Sequence, residues 1–259
     1  MRRTSEKRHW DGFWEGSNDP GEVYDNEGRV SRHFSRIRSL EGMRVLEVGA
    51  GTGRDGILMA RLGASVVSLD YSRQSLRLVR GQLSPGDDVS LCLGDAFSLP
   101  FADGVFDLVF HQGLLEHFTD PGEMLAEHAR VLAEGGYILV DVPQRWHYYT
   151  AIKHILIAAG RWFAGWETEF SPRELERLLE RHSFEIVETY GEWLNPPIWY
   201  RMLRKGLSGL GIGLPMYPRL FQAARRSFGG MRRRLLSIRP VLYTTMVIGT
   251  IARKGGSGG

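Results

Sequence analysis

The 259-residue chain has a single cysteine, Cys92. One thiol excludes an intramolecular disulfide, and its place in Ser90-Leu91-Cys92-Leu93 reads as a strand position rather than a nucleophile's. A reducing, cytoplasmic compartment is the expectation. No uncharged apolar run approaches the ~20 residues that span a bilayer. Ala151 to Trp166 comes nearest, and Lys153, His154 and Arg161 break it. The opening Met1-Arg2-Arg3-Thr4-Ser5-Glu6-Lys7 is charged with no apolar stretch behind it, so no secretory leader is expected. Internal repeats are missing too. Negative charge runs out at Glu192: beyond it lie 12 Lys and Arg and no acid. Residues 1–192 carry 21 bases against 30 acids, so the net +3 conceals a body of −9 and a tail of +12. That asymmetry argues against a uniform nucleic-acid binder and for an anionic partner near the C-terminal third.

What is present alternates. Short apolar strands are expected at Arg44–Val48, Ser65–Asp70, Val89–Leu93, Phe106–Phe110, Tyr137–Val142, Glu185–Tyr190 and Val241–Ala252. Helical spacing separates most of them: Asp55–Leu62, Ser72 capping a helix to Leu83, Pro121–Leu132, and Pro172–Arg181 behind Ser171. Alternating strands and helices signal a parallel sheet covered on both faces. Residues 1–40, with Trp10, Phe13, Trp14, Tyr24 and Phe34, read as a helical N-terminal cap. Residues 41–192 form the core. Residues 193–240, rich in Gly, Pro, Arg and aromatics, read as a lid inserted before a last core strand within 241–254. Residues 255–259 read as a flexible tail.

The first strand runs into Glu47-Val48-Gly49-Ala50-Gly51-Thr52-Gly53. Glycines let the chain turn tightly and a ligand approach the backbone, and the following helix N-terminus favours an anion. A dinucleotide fingerprint, G-x-G-x-x-G, would need glycine at 54, where Arg54 stands. That speaks against a nicotinamide oxidoreductase. No Gly-Lys-Ser/Thr follows, so a Walker A loop fails as well.

The pattern E-x-G-x-G-x-G resembles the first motif of the class I S-adenosylmethionine (SAM)-dependent methyltransferases, small-molecule type. The resemblance continues in order through Asp70, Gly94-Asp95-Ala96-Phe97, Phe106–Phe110, Leu114-Leu115-Glu116-His117-Phe118, and Arg130-Val131-Leu132 before Gly135-Gly136. It implies a Rossmann-like, doubly wound α/β sheet of seven strands, mostly parallel with an antiparallel last strand. It implies SAM as cofactor. Glu47, Gly49, Ala50, Gly51 and Gly53 would cradle the methionine end, Asp70 and Tyr71 the ribose, Asp95, Ala96 and Phe97 the adenine, with Gln112 nearby. A binding module of this fold without turnover is the alternative.

Methyl transfer from a sulfonium is an in-line displacement that needs positioning and, for a protonated acceptor, a base. His117 is the first base candidate and His111 the second. Quinone-pathway relatives carry E-x-x-E-H at this turn and hold a metal there; Gly113 replaces the first carboxylate, so no metal is expected. Asn195-Pro196-Pro197-Ile198 resembles an amine-methylating motif but lies beyond strand six and lacks its aromatic, so it reads as a turn. Aromatics at Trp146, Tyr148, Tyr149, Trp162, Phe163, Trp166, Trp193, Trp199, Tyr200, Tyr217 and Phe221 suit a small apolar, aromatic or anionic acceptor. Bases between Arg201 and Arg239 suit an anionic acceptor or an anionic lipid surface, with Ile152–Trp166 and Leu220–Leu236 as interfacial helices. They otherwise form a solvated face balancing the acidic body. Nucleic acid is the least favoured partner, since no RNA-binding module accompanies the charge.

Overall fold

The computed structural model describes residue 10 and residues 28–160, 167–193, 196–219, 227–236 and 238–255. Phe13, Trp14, Tyr24, Trp162, Phe163, Trp166, Asn195, Phe221, Arg225, Arg226 and the tail beyond Gly255 lie outside them.

Seven strands form one sheet: β1 (Arg44–Val48), β2 (Ser65–Asp70), β3 (Val89–Leu93), β4 (Phe106–Gln112), β5 (Leu132–Pro143), β6 (Phe184–Glu192) and β7 (Val247–Lys254). Their order is β3-β2-β1-β4-β5-β7-β6. The first five pair in parallel, and β7 runs antiparallel to both β5 and β6. The expected sheet is therefore present, antiparallel last strand included.

The central strands β1, β4 and β5 are buried on both faces, as a covered parallel sheet requires, while the edge strands β3 and β6 are more open. Val45, Leu108, Leu139 and Ile251 pack on one face with Val30 and Phe34 of α1 (Arg29–Phe34) and Met59 of α2 (Arg54–Arg61). Leu46, Val48, Val109 and Val140 pack on the other with Met124 and Leu125 of α4 (Gly122–Val131) and Leu175 and Leu179 of α6 (Pro172–Arg181). Between these lie α3 (Arg73–Gln82), capped by Ser72, and α5 (Tyr148–Ala158). Ser171 and Glu174 close a reciprocal capping box on α6, with Pro172 at its first turn. In the basic segment lie α7 (Ile198–Ser208) and α8 (Gly229–Leu236).

Two strand starts depart from expectation by five residues or more. The run from Val241 is not strand at first. Arg239–Thr244 is a 3-10 helix with Pro240 in its first turn, and β7 begins only at Val247. Proline fixes φ in the helical range, and buried Leu242 serves a 3-10 turn as well as a strand. β5 begins early, at Leu132 paired with Phe106, and its register shifts before Leu108 pairs with Tyr137. Gly135, at φ +68°, makes that shift possible.

Candidate active site

Strand order reverses at β1, so the connections leaving β1 and β4 cross opposite faces and open a crevice between them. A cavity of about 300 Å³ occupies it, walled by the loops after β1, β2, β3 and β4. The glycine loop forms one wall. Gly49 and Gly51 have φ of +68° and +55°, open to glycine and strained for other residues. A methyl at Gly49 would stand 3.1 Å from Leu114, which lines the opposite wall.

Asp70 organises that loop. Its Oδ2 accepts the Gly51 amide at 3.0 Å and the Ser75 hydroxyl at 2.9 Å, and its Oδ1 accepts the Ser72 amide at 2.8 Å. One carboxylate thus fixes the loop and the start of α3. Burial lifts its pKa above the usual carboxylate value, against the pull of these bonds. At the next strand end, half-buried Asp95 accepts the Phe97 amide at 3.1 Å. Glu47 supports α2 rather than the loop itself. Its carboxyl accepts the Gly56 amide at 3.3 Å and the Ser68 hydroxyl at 2.7 Å, and burial pushes its pKa up to about 8.

Gln112 is held from both ends. Its amide nitrogen donates to Asp55 at 2.7 Å, and its oxygen accepts from Arg29 at 3.2 Å. Arg29 in turn grips Asp141 through two parallel bonds of 2.8 Å, and the Tyr190 hydroxyl donates to Asp141 at 3.1 Å. Burial alone would lower the Arg29 pKa, but the Asp141 carboxylate beneath it holds it above its ordinary value. Sequence reasoning missed this chain. Its signal was Asp141 itself, a lone acid inside Ile138-Leu139-Val140-Asp141-Val142, which cannot be buried without a partner.

His117 sits in the 3-10 turn Leu115–His117 on the cavity wall, buried, with the Trp10 ring edge-on at 4.8 Å. His111 is not there. Successive strand side chains face opposite ways, and Phe110 and Gln112 take the cavity side. His111 points to the other face, against His128 of α4 at 5.4 Å. Among the described residues neither ring has a hydrogen-bond partner, and burial holds both pKa values well below the ordinary imidazole value, to about 3 for His128. The second base candidate is therefore corrected to a neutral core histidine.

Of the expected cofactor residues, Glu47, Gly49, Ala50, Gly51, Asp70, Tyr71, Asp95, Ala96 and Gln112 line the cavity. Gly53 and Phe97 do not. Gly53 caps α2 at φ +67°, and a Cβ there would meet Val79 of α3 at 2.7 Å, so close helix packing is its role. Phe97 packs edge-on against Phe118 at 4.8 Å, and it is Phe118 that reaches the wall. Trp10, Arg54, Asp55 and Leu114 also line the cavity, unanticipated.

A second ionic cluster backs the His117 turn. Lys153 Nζ contacts Glu167 at 2.7 Å and Glu169 at 2.6 Å, all three buried. The Thr168 amide donates to the Glu116 carbonyl at 2.8 Å, tying the cluster to that turn. Burial, with Glu167 nearby, holds the Glu116 carboxyl well above its usual pKa. Among the described residues no group of three His, Cys, Asp or Glu has a geometry that could hold a metal ion.

Fold and site together define an α/β protein that takes a nucleoside-bearing cofactor at its switch point, with acids at successive strand ends. Comparison with known proteins narrows this. The family described as methyltransferase domain matches residues 46–140. A ubiquinone biosynthesis O-methyltransferase of Rhizobium johnstonii is 31% identical over 178 residues, covering 65% of this chain and 72% of the relative. A demethylmenaquinone methyltransferase of Renibacterium salmoninarum is 38% identical over 104 residues, covering 40% of this chain and 43% of the relative. The chain spans between 42% and 66% of the length of other curated relatives that it matches. Among solved structures, a chain in the complex between the Haloferax volcanii Trm112 methyltransferase activator and a methyltransferase aligns with TM-score 0.65 at 18% identity, covering 97% of this chain and all of that one. Magnesium protoporphyrin IX methyltransferase of Synechocystis, with bound SAH, aligns with TM-score 0.59 at 15% identity, covering 96% and 95%. At such identities the likeness is one of fold. The chain belongs to the class I SAM-dependent methyltransferases, an enzyme family whose cofactor is SAM.

Proposed function

We propose that this protein transfers the methyl group of SAM to a small apolar or aromatic acceptor bearing a protonated oxygen. The observation that carries this is the convergence of four strand ends on one cavity, with His117 on its wall. The residues fit the cofactor. Asp70 and Asp95 place carboxylates at adjacent strand ends, suited to hydroxyl and amine donors of an adenosine. Asp70 lines the cavity, and a carboxylate oxygen can take more than one donor. The positive-φ glycines at 49 and 51 let a ligand lie against bare backbone. Gln112, set by Arg29 and Asp55, lines the same cavity and would offer an amide to the bound cofactor.

Bound SAM supplies a methyl already activated on a sulfonium. The chain's own task is to position the acceptor, keep water out and receive a proton. His117, with the Trp10 ring covering one edge, takes the proton of the acceptor oxygen as the new C–O bond forms. The relatives named demethylmenaquinone methyltransferase and ubiquinone biosynthesis O-methyltransferase favour a quinone-type acceptor, and the second favours transfer to oxygen.

Calorimetry with SAM, SAH and NAD tests the cofactor assignment: SAM and SAH bind and NAD does not. Asp70→Ala weakens SAM at least tenfold, about 1.4 kcal/mol. NAD binding without SAM binding would refute the reading. Transfer of labelled methyl to a panel of phenols and quinols tests the acceptor, with His117→Ala losing the acidic limb of the pH–rate profile.

A further inference from the structure

Three helices of this molecule are turned inside out. On α5, Tyr148, Ile152 and Ile155 recur at i, i+4 and i+7 and are exposed, Ile155 to 70%. Its opposite side carries buried Lys153, anchored to Glu167 and Glu169. On α7, Trp199, Met202 and Leu203 recur at i, i+3 and i+4 and are exposed, Trp199 to 58%. Its Tyr200 points inward, its hydroxyl donating to the Pro215 carbonyl at 2.6 Å. Along α8 and the residue just before it, Phe228, Met231 and Leu235 form the same outward stripe, while Arg232 turns in to Glu192. A soluble surface helix normally reverses this arrangement.

The three stripes share one edge of the sheet. α5 leaves the carboxyl end of β5 and α7 that of β6, both ends pairing with Val247 at the start of β7. Arg232 of α8 reaches Glu192, the last residue of β6. Burial lifts the Tyr149 pKa on α5, and the charge of Arg201 on α7 acts against that rise. Lys205, Arg219 and Arg234 are exposed on this acid-free segment. The acids beneath it are already engaged: Glu192 by Arg32 and Arg232, Glu176 by Arg239, Glu167 and Glu169 by Lys153.

We infer that this edge is a docking surface for an anionic lipid bilayer. Apolar stripes enter the headgroup–acyl boundary and the surrounding bases meet lipid phosphates. The surface would lie at the same end of the sheet as the cofactor cavity, where the parallel strands finish. Neither spanning helix nor anchor is required; among the described residues no helix is long and apolar enough to cross a membrane. A protein partner would need matching acids and a shaped groove, whereas stripes with interspersed bases suit a fluid, negatively charged plane. The inference rests on exposure and charge and stands whether or not the methyl-transfer reading holds.

Vesicle co-sedimentation of the full chain tests it, with phosphatidylcholine alone and with about 30 mol % phosphatidylglycerol. The expected result is binding to the anionic vesicles at low salt, at least tenfold weaker with phosphatidylcholine alone, and weaker again as salt rises. Trp199→Ser with Met202→Ser and Phe228→Ser reduces it at least tenfold while circular dichroism and SAH binding stay unchanged. Should that variant lose its fold, Lys205→Glu with Arg219→Glu is the second arm, expected to weaken binding at least fivefold. No binding to anionic vesicles, or equal binding by an intact variant, overturns the inference. So does a stable dimer without vesicles that the serine substitutions dissolve, because the face would then be an interface between copies.

Discussion

Glu47 offers the sharpest test of the site's electrostatics. Its carboxyl lies between β1 and α2, 5% exposed, with only neutral donors against it: the Gly56 amide and the Ser68 hydroxyl. Among the described residues the charges that act on it are those of Asp55 and Asp70, which add negative charge nearby. The folded protein therefore keeps the Glu47 proton until about pH 8, whereas an ordinary glutamate loses it near 4.5. Between those values the folded state binds one proton more than the unfolded state, so stability falls as pH rises. The rate is about 1.4 kcal/mol per pH unit, which amounts to about 3 kcal/mol between about pH 5 and pH 7.5. Glu47→Gln keeps one acceptor for Gly56 and offers Ser68 a donor, yet cannot ionise. Urea titrations of both proteins across that range isolate the residue, because the other shifted groups are common to both. The stability difference, variant minus parent, should grow steadily with pH by about 3 kcal/mol. Parallel stability curves would refute the reasoning, and would mean that Glu47 ionises in the fold with a compensation this geometry lacks.

Lys153→Met leaves Glu167 and Glu169 buried without their cation, and should cost about 3 kcal/mol or more near neutrality, less in acid where carboxylates protonate. Urea titration at two pH values checks both halves. Arg29→Met leaves Asp141 buried without its cation and removes one of the bonds that hold Gln112, so it should lower the melting temperature and weaken SAM binding together; unchanged SAM affinity would detach Gln112 from the cofactor. His128→Leu should gain acid stability. Its folded pKa is depressed to about 3, so the parent loses stability as pH falls below about 6.5, where the unfolded imidazole takes up protons, and leucine removes that loss. His111→Leu should retain turnover with the native acceptor, since its ring faces α4 and not the cavity.

Much of the fold could be read because each element carried its own punctuation. Ser171-Pro172 followed by Glu174 marked the start of α6 by a capping box, and Ser72 marked α3. The glycine loop and the acids ending β2 and the segment after β3 announced the cavity, since acids beside short apolar strands need a reason to be there. The failures have physical causes. His111 and Gln112 are adjacent in sequence, but the pleat sends them to opposite faces, and the run gave no independent fix of which face held the cavity. Gly53 belonged to the motif by spacing, yet its glycine is demanded by Val79, a contact visible only once α3 is folded against α2. The Asp55–Gln112–Arg29–Asp141 chain joins residues up to 112 positions apart, beyond the reach of any local pattern.

Amphipathic periodicity is indifferent to inside and outside. The spacing of Trp199, Met202 and Leu203 would suit a helix laid on a core or on a bilayer, and what decides between them is the far side of each helix. Lys153 is the clearest case. A lysine within Ile152-Lys153-His154-Ile155 reads as an interruption of an apolar run, but two buried carboxylates make it the anchor that sets the roll of α5. With that side fixed inward, Ile152 and Ile155 are turned to solvent. Arg232 does the same for α8 through Glu192, whose carboxyl is held down to about pKa 2 against its burial by His33, Arg232 and Arg32. The basic excess that began beyond Glu192 therefore divides into two uses. Arg232 and Arg239 bind the segment to acids of the body, and Lys205 and Arg219 are exposed on the same segment as the apolar stripes. Reversing the pinning charges, as in Glu192→Lys, should release α8 and blunt vesicle binding without touching any stripe residue. Reversing the outer charges should blunt it without altering the melting temperature. Finding both effects in one variant class alone would show that the two sets of bases do not act separately.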